Sequence, residues 1–113
     1  MHELMVTHNI LNTALDEAKA ARANKIININ LIIGELSGVT GESIQFYFNS
    51  LSKDTAAEKA TIDFKLVPAE LRCRDCSTKF GLEDVQWICP NCRSSRVEII
   101  DGRDCFIESI DVE

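Results

Sequence analysis

The sequence contains few residues that break regular structure: two prolines and five glycines among 113 residues. With 45% apolar residues, this composition excludes a disordered or low-complexity protein and allows a packed core. No segment approaches the ~20 consecutive apolar residues of a membrane-spanning helix. The N-terminal residues lack the basic segment of a secretory signal peptide. We therefore expect a cytoplasmic protein with no membrane association, built as one domain or two small units.

Positive charge is also scarce, and the formal net charge is −6. Residues 1–71 carry nine acidic and six basic residues, residues 72–104 carry six of each, and residues 105–113 carry three acidic residues and no base. Proteins that bind a phosphate backbone need a basic surface, and base stacking needs aromatic side chains, which are only 6% of this chain. The composition therefore argues against a nucleic-acid partner.

Hydrophobic periodicity predicts alternating helices and strands in the first half of the chain. Two amphipathic helices are expected over residues 4–23 and 40–52, and two strands over 26–33 and 62–66. A lone histidine on an apolar helix face is usually a partly buried packing residue, and we expect this of His8, with an accessory metal ligand as the alternative. The apolar stripe of the first helix comprises Leu4, His8, Leu11, Leu15 and Ala18. The shared face of the first strand comprises Ile27, Ile29, Leu31 and Ile33.

The C-terminal segment has the pattern of a β-hairpin. Asp101-Gly102 is a two-residue turn signal between predicted strands over 97–100 and 103–112. Cys105, in the last strand, is expected to be a buried free thiol. The residues expected on one face of that strand are Phe106, Ile110 and Val112.

Four of the five cysteines form two Cys-x-x-Cys pairs, Cys73/Cys76 and Cys89/Cys92, with twelve residues between the pairs. Two intervening residues let one tight turn present both sulfurs to an ion, at a Zn–S distance of about 2.3 Å. Four thiolates leave no open coordination position, so the predicted zinc site is structural rather than catalytic. Two disulfides or a redox dithiol are the alternatives, although paired cysteines in a reducing cytoplasm are more often metal ligands.

The first three residues, Met1-His2-Glu3, suggest a second and different metal site. The terminal amine, the His2 backbone nitrogen and the His2 imidazole close a five-membered and a six-membered chelate ring. The amide or carboxylate of Glu3 supplies a fourth position. Such a planar, nitrogen-rich donor set suits Ni(II) or Cu(II) better than zinc. The alternative is an ordinary N-terminus, where any polar residue is tolerated.

These features occur here in a fixed order over essentially the whole chain. The Met1-His2-Glu3 terminus precedes a helix and a strand ending in GELSGV at 34–39, and the double Cys-x-x-Cys is followed by the closing segment CFIESIDVE at 105–113. In this combination the sequence resembles the HypA/HybF family, the nickel-incorporation accessory proteins of [NiFe]-hydrogenase maturation.

The resemblance implies an α+β fold, with about two helices on a three-stranded sheet and an inserted four-cysteine zinc-ribbon-like domain. Residues 1–71 and 105–113 would form the nickel-binding α/β domain, and residues 72–104 the zinc domain. Met1, His2 and Glu3 would hold nickel as transferred cargo. The zinc ligands would be Cys73, Cys76, Cys89 and Cys92.

The resemblance also implies the partners. These are a GTPase accessory protein of HypB type and the [NiFe]-hydrogenase large subunit, and some family members also supply urease. An exposed edge of the last strand or a swapped domain would give a homodimer, and the residues leave the choice between monomer and dimer open.

Two other classes of function compete with nickel delivery. A zinc-ribbon module that binds protein or nucleic acid, without a nickel role, is the main alternative. An enzyme is not expected, because the sequence shows no nucleophile–base pair and a saturated zinc site leaves no position for a reactive water.

Overall fold

The computed structural model describes residues 3–82 and 87–113. Within these residues, the strands form two three-stranded sheets, with strand orders β2-β1-β6 and β4-β3-β5. The elements in chain order are α1 (Glu3–Ala20), β1 (Ile26–Gly34), α2 (Gly41–Leu51), β2 (Thr61–Val67), β3 (Glu70–Cys73), β4 (Lys79–Phe80), β5 (Val97–Asp101) and β6 (Cys105–Val112). The predicted α+β class, with two helices, a three-stranded sheet and a four-cysteine insert, is confirmed.

Residue contacts divide the chain into two compact units. The first unit contains the residues up to Ile33, together with Gly38–Lys65 and Cys105–Glu113. The second contains Gly34–Ser37 and Leu66–Asp104. Both helices belong to the first unit, and all four paired cysteines belong to the second. The extents of independently folding domains, 1–71 with 105–113 and 72–104, stay a prediction.

The core of the first unit joins the two helices to the central strand β1. Ile29, Leu31 and Ile33 of β1 and Ile44 and Phe48 of α2 are almost completely buried in this cluster. Burying a large aliphatic or aromatic side chain stabilises a fold by about 1.5–3 kcal/mol. These five side chains alone therefore contribute strongly to the stability of this core.

The start of α2 is determined by a local cap. The hydroxyl of Thr40 accepts a hydrogen bond from the backbone N–H of Ser43, at 3.1 Å. This bond satisfies one of the N–H groups that a helix leaves unpaired in its first turn. Glu42, also in the first turn, has the charge that the helix dipole favours there.

The buried face of α1 differs from the predicted stripe. Leu4 and His8 are exposed, and the His8 ring lies 3.3 Å from the side-chain nitrogen of Asn12. Thr7 is buried instead. Its hydroxyl donates to the Glu3 carbonyl oxygen at 2.7 Å, so the buried polar group has a hydrogen-bond partner. The prediction that His8 is a partly buried packing residue was therefore wrong. The residues of α1 that are buried are Thr7, Ile10, Leu11, Ala14 and Ala18.

Irregular pairing between β1 and β6 changes two predicted strand faces. A register shift between Ile26 and Asn28 buries Ile26 and leaves Ile27 exposed, contrary to the prediction. A second shift lies between Asn30 and Leu31, which pair with Ser109 and Ile107. Glu108 is therefore an extra residue of β6 that has no paired residue in β1. Phe106 is consequently exposed. The β6 residues that pack against the core are Cys105, Ile107, Ile110 and Val112.

The predicted C-terminal hairpin is also wrong. Both strands form, but β5 pairs antiparallel with β3, and β6 pairs antiparallel with β1. The turn signal is real, since Gly102 has φ of +84°. However, the Gly102 carbonyl accepts from Leu36 N–H at 2.7 Å, and the Asp104 carbonyl accepts from Gly34 N–H at 2.8 Å. These bonds place residues 102–104 beside residues 34–36, so the chain does not fold back along β5.

The backbone of Gly102 and Asp104 lies close to Gly34, and this allows a direct test of the chain path. A Cβ at Gly34 would overlap the Gly102 carbonyl and lie 2.9 Å from the Asp104 carbonyl oxygen, and neither backbone group can rotate away. We expect Gly34→Ala to lower the free energy of unfolding by about 1–3 kcal/mol, measured by urea denaturation. Gly41→Ala is the control, because its Cβ would meet only the Phe64 ring, at 3.1 Å, and alanine favours the helix. Equal stability of the two variants would contradict this interpretation.

Candidate metal centre

The first Cys-x-x-Cys pair is held in a tight turn at the end of β3. The N–H of Cys73 donates to the Thr78 carbonyl oxygen, and the N–H of Ser77 donates to the Cys73 carbonyl oxygen, both at 2.9 Å. Ser77 has φ of +65°, in the left-handed region. The N–H of Asp75 points at the Cys73 sulfur, at 3.3 Å. The turn therefore places a backbone N–H dipole against a sulfur and orients the whole pair.

The second pair repeats this geometry. The N–H of Cys89 donates to the Ser94 carbonyl oxygen, and the N–H of Arg93 donates to the Cys89 carbonyl oxygen, again at 2.9 Å. Arg93 has φ of +62°, and the N–H of Asn91 lies 3.4 Å from the Cys89 sulfur. Both Cys-x-x-Cys turns therefore have the same backbone geometry although they lie in separate parts of the chain, which indicates that the two cysteine pairs serve one site.

The two turns bring their four sulfurs together. All four atoms lie within 4.8 Å of one another, with 3.5 Å between Cys73 and Cys92 and 3.6 Å between Cys76 and Cys89. A regular tetrahedron with Zn–S bonds of about 2.3 Å has S···S edges of about 3.8 Å. The observed cluster has this size, and its donor set is the one found in structural zinc sites. The predicted ligands Cys73, Cys76, Cys89 and Cys92 thus form a group that fits one tetrahedral ion.

Hydrogen bonds favour ionisation of one sulfur in particular. The Thr78 hydroxyl, 3.1 Å from the Cys76 sulfur, and the Asn91 amide lower the pKa of Cys76 to about 6. A Ser94 backbone hydrogen bond lowers the pKa of Cys92, but hydrogen bonds with the neighbouring thiols, led by Cys73, and local desolvation of the sulfur outweigh it and raise that pKa to about 12. Four thiolates at this spacing repel one another unless a divalent cation compensates their charge.

The sulfur cluster is continuous with the small core of the second unit. Cys73 and Cys89 are buried with Leu71 and Phe80, whereas Cys92 is exposed. So few large apolar side chains contribute little burial energy for a unit of this size. A bound ion would therefore act as part of the core and supply much of the folding free energy.

Two residues that support the sulfurs were not identified from the sequence: Thr78 and Asn91. Asn91 lies inside the second Cys-x-x-Cys pair, where an amide that can donate to a thiolate was a readable signal. Thr78 follows the first pair, and nothing in its sequence position distinguishes it from an ordinary turn residue. Its role depends on the turn returning its hydroxyl to Cys76.

The predicted nickel ligands lie at the other end of the chain. Met1 and His2 are outside the described residues. Glu3 is the first residue of α1, and its carboxylate accepts a hydrogen bond from the Thr40 N–H at 3.4 Å. Thr40 is the cap of α2, so the Glu3 carboxylate lies beside the start of the second helix.

Together these features define a class: a small α+β protein with a four-sulfur site of structural type. A family model described as "Hydrogenase/urease nickel incorporation, metallochaperone, hypA" matches residues 1–112. The chain therefore belongs to the HypA family, and the resemblance predicted from its motifs is confirmed.

No helix in residues 3–82 or 87–113 has the length and apolar character needed to cross a membrane.

Individual relatives agree with this assignment. The hydrogenase maturation factor HypA of Dehalococcoides mccartyi (strain ATCC BAA-2266 / KCTC 15142 / 195) is 44% identical over 113 residues, covering 100% of this chain and 95% of that protein. The corresponding factor of Caldanaerobacter subterraneus subsp. tengcongensis is 38% identical over 115 residues, with both chains fully covered. The solution structure of the Ni metallochaperone HypA from Helicobacter pylori is similar with a TM-score of 0.73 and 27% identity, covering 99% of this chain and 97% of that one.

Proposed function

We propose that this protein is a nickel metallochaperone that binds Ni(II) through Met1, His2 and Glu3 and delivers it to the [NiFe]-hydrogenase large subunit. The observation that carries the proposal is the match of the nickel-incorporation family over residues 1–112. The HypA structure from Helicobacter pylori, described as a Ni metallochaperone, supports the same role.

The two donor sets suit different tasks. A terminal amine, an amide nitrogen and an imidazole favour Ni(II), and they leave positions at which an acceptor can replace them. The four sulfurs of the second unit instead match Zn(II), whose closed tetrahedral sites are structural. We therefore assign nickel as cargo and zinc as a resident ion that stabilises the fold.

The proposed role includes no catalytic reaction of this chain and places it in the cytoplasm. Its partners are a GTPase of HypB type and the hydrogenase large subunit, with urease maturation proteins as further candidates. A homodimer is the candidate assembly. Each of these assignments follows from the family role.

The alternative is a zinc-ribbon interaction module without nickel. Its nucleic-acid form needs a basic face on the second unit. Several arginines there are instead neutralised: Arg72 pairs with Glu98 at 2.6 Å, and Arg96 pairs with Asp75 at 3.2 Å. The Arg72 guanidinium also holds the pKa of Glu98 below its usual range. These pairs leave the second unit without the basic face that nucleic-acid binding needs.

A transfer assay tests the proposed delivery. Zinc-replete protein carrying one equivalent of radioactive nickel would be mixed with nickel-free large subunit, the GTPase, GTP and an excess of chelator that traps free ions. We expect nickel to reach the large subunit from the loaded protein but not from the nickel–chelator complex. The His8→Ala variant should transfer normally, because His8 lies on α1 outside the proposed ligand set.

The same assay with the His2→Ala variant should give no transfer above the chelator control. Equal transfer from the two histidine variants would contradict the assigned ligands. No transfer from the unmodified protein would contradict the delivery function itself.

A further inference from the structure

The sheet of the first unit ends at a long strand edge. The strand order β2-β1-β6 leaves one side of β6 without a partner strand among the described residues. β6 spans eight residues and contains neither lysine nor proline, the residues that commonly protect such edges. The opposite edge strand, β2, carries Lys65. By these two residue types, the edge of β6 is therefore the less protected of the two.

The core beside β6 is also less completely covered than the core beside β1. Leu31 and Ile33 of β1 are 1% exposed. The β6 side chains that face the same core, including Ile107 and Ile110, remain only partly buried. Apolar surface at the margin of the sheet is thus left accessible along the free edge.

A groove runs between α1 and the start of β6. Its volume is about 410 Å³, within the range of about 300–1,000 Å³ for ligand pockets. Cys105 is partly buried in this groove, and burial raises the pKa of its thiol. The lining residues include Val6, Ile10, Thr13 and Glu17 of α1 and Cys105 and Ile107 of β6.

The charged residues of the C-terminal segment 105–113 have one sign. Residues 105–113 contain Glu108, Asp111 and Glu113 and no base, and Glu17 adds an acidic group in the groove. None of these four carboxylates forms an ion pair within the part of the chain that the structure describes. Asp111 has only the Asn28 amide, at 3.5 Å. The edge therefore complements a basic partner.

We propose that the free edge of β6 and the adjoining groove bind an extended segment of a partner protein whose side chains alternate between apolar and basic. Such a segment extends the sheet by one strand, and its backbone pairs with the free N–H and C=O groups of β6. Alternate side chains of a strand point to opposite faces. The apolar ones enter the groove below α1, and the basic ones reach the outer face, where Asp111 lies.

A second copy of this chain fits the edge less well. Two β6 edges would bring Glu108, Asp111 and Glu113 of both copies together, and like charges across strands are destabilising. The extra residue at Glu108 also bends β6, which hinders pairing with an identical bent edge. A flexible basic segment meets neither obstacle.

A blocked ten-residue peptide of alternating valine and lysine serves as the probe, titrated into isotope-labelled, zinc-replete and nickel-free protein. We expect NMR shifts of the β6 amides and of Val6 and Ile10, and at least tenfold slower hydrogen exchange of the outward β6 amides. A valine–glutamate peptide should not bind, and a valine–lysine peptide with prolines at alternate positions should not pair. The absence of nickel separates this test from the delivery proposal.

A matched pair of variants tests the position of the partner. Asp111→Lys on β6 and Asp63→Lys on β2 change the net charge equally, and both replace an exposed aspartate on an edge strand. We expect Asp111→Lys to weaken binding by about five- to tenfold and Asp63→Lys to change it less than twofold. Equal losses, shifts confined to β2 or equal binding of the glutamate peptide would overturn the proposal. Protection of β6 that rises with protein concentration alone would identify a second copy instead and would also overturn it.

Discussion

Replacing His2 with alanine, or adding Gly-Ser before Met1, is expected to abolish one-to-one Ni(II) binding by the untagged, zinc-replete protein. The first change removes the imidazole and the second removes the terminal amine from the five-membered ring. Because loss of a residue that only supports a metal ligand costs about 10–100-fold in affinity, loss of a direct ligand should cost more. Calorimetry gives the affinity, and the d–d absorbance bands report a planar geometry.

The chain offers a matched control for this experiment. It contains two histidines, and His8 is exposed on α1 with the Asn12 side chain as its neighbour. His8→Ala should bind nickel as the unmodified protein does. If the unmodified chain, the His2→Ala variant and the extended chain all bind alike, nickel is held elsewhere and the assignment of Met1-His2-Glu3 is wrong.

Replacing Cys76 with serine is expected to remove the single equivalent of zinc and to unfold the second unit. Zinc binding contributes about 10–16 kcal/mol to the folding of small zinc peptides. The apolar cluster around Leu71 and Phe80 is too small to replace that contribution. Elemental analysis measures the zinc. The only tryptophan, Trp87, lies in the second unit, so its fluorescence reports on that unit.

Two further observations make the zinc experiment decisive. Both helices belong to the first unit, so helical circular dichroism should persist while the Trp87 emission changes. Cys105→Ser is the control, because Cys105 lies in β6 and outside the sulfur cluster, and this variant should keep its zinc. An unchanged zinc content in Cys76→Ser would contradict the four-cysteine site.

The cluster of four cysteines was predictable because its geometry is mostly local. Two residues between cysteines determine how one turn presents two sulfurs, and the spacing can be read directly from the chain. The helices were predictable for a similar reason, since Ile44 and Phe48 repeat at helical spacing and are both buried in α2. The family resemblance likewise depended on the order of motifs, which needs no coordinates.

The features that sequence analysis missed depend on distant segments. Thr7 is buried in place of His8, with its hydroxyl satisfied within α1, and the helix packs against α2 and β6. The extra residue Glu108 exists only in relation to the register with β1. Periodicity along one strand cannot reveal such a shift, because it belongs to the pair of strands.

By itself, the sequence determined the class of fold, the grouping of the four paired cysteines and the family, since each depends on residue type and local spacing. Only the tertiary structure decided the partners of β5 and β6, because a turn at Asp101-Gly102 is compatible with a hairpin or with a crossing between sheets. The crossing is selected by the hydrogen bonds of residues 102–104 with Gly34 and Leu36, which lie more than sixty residues earlier in the chain. Those bonds leave β6 on the sheet edge, and the acidic, partly covered edge follows from that long-range pairing.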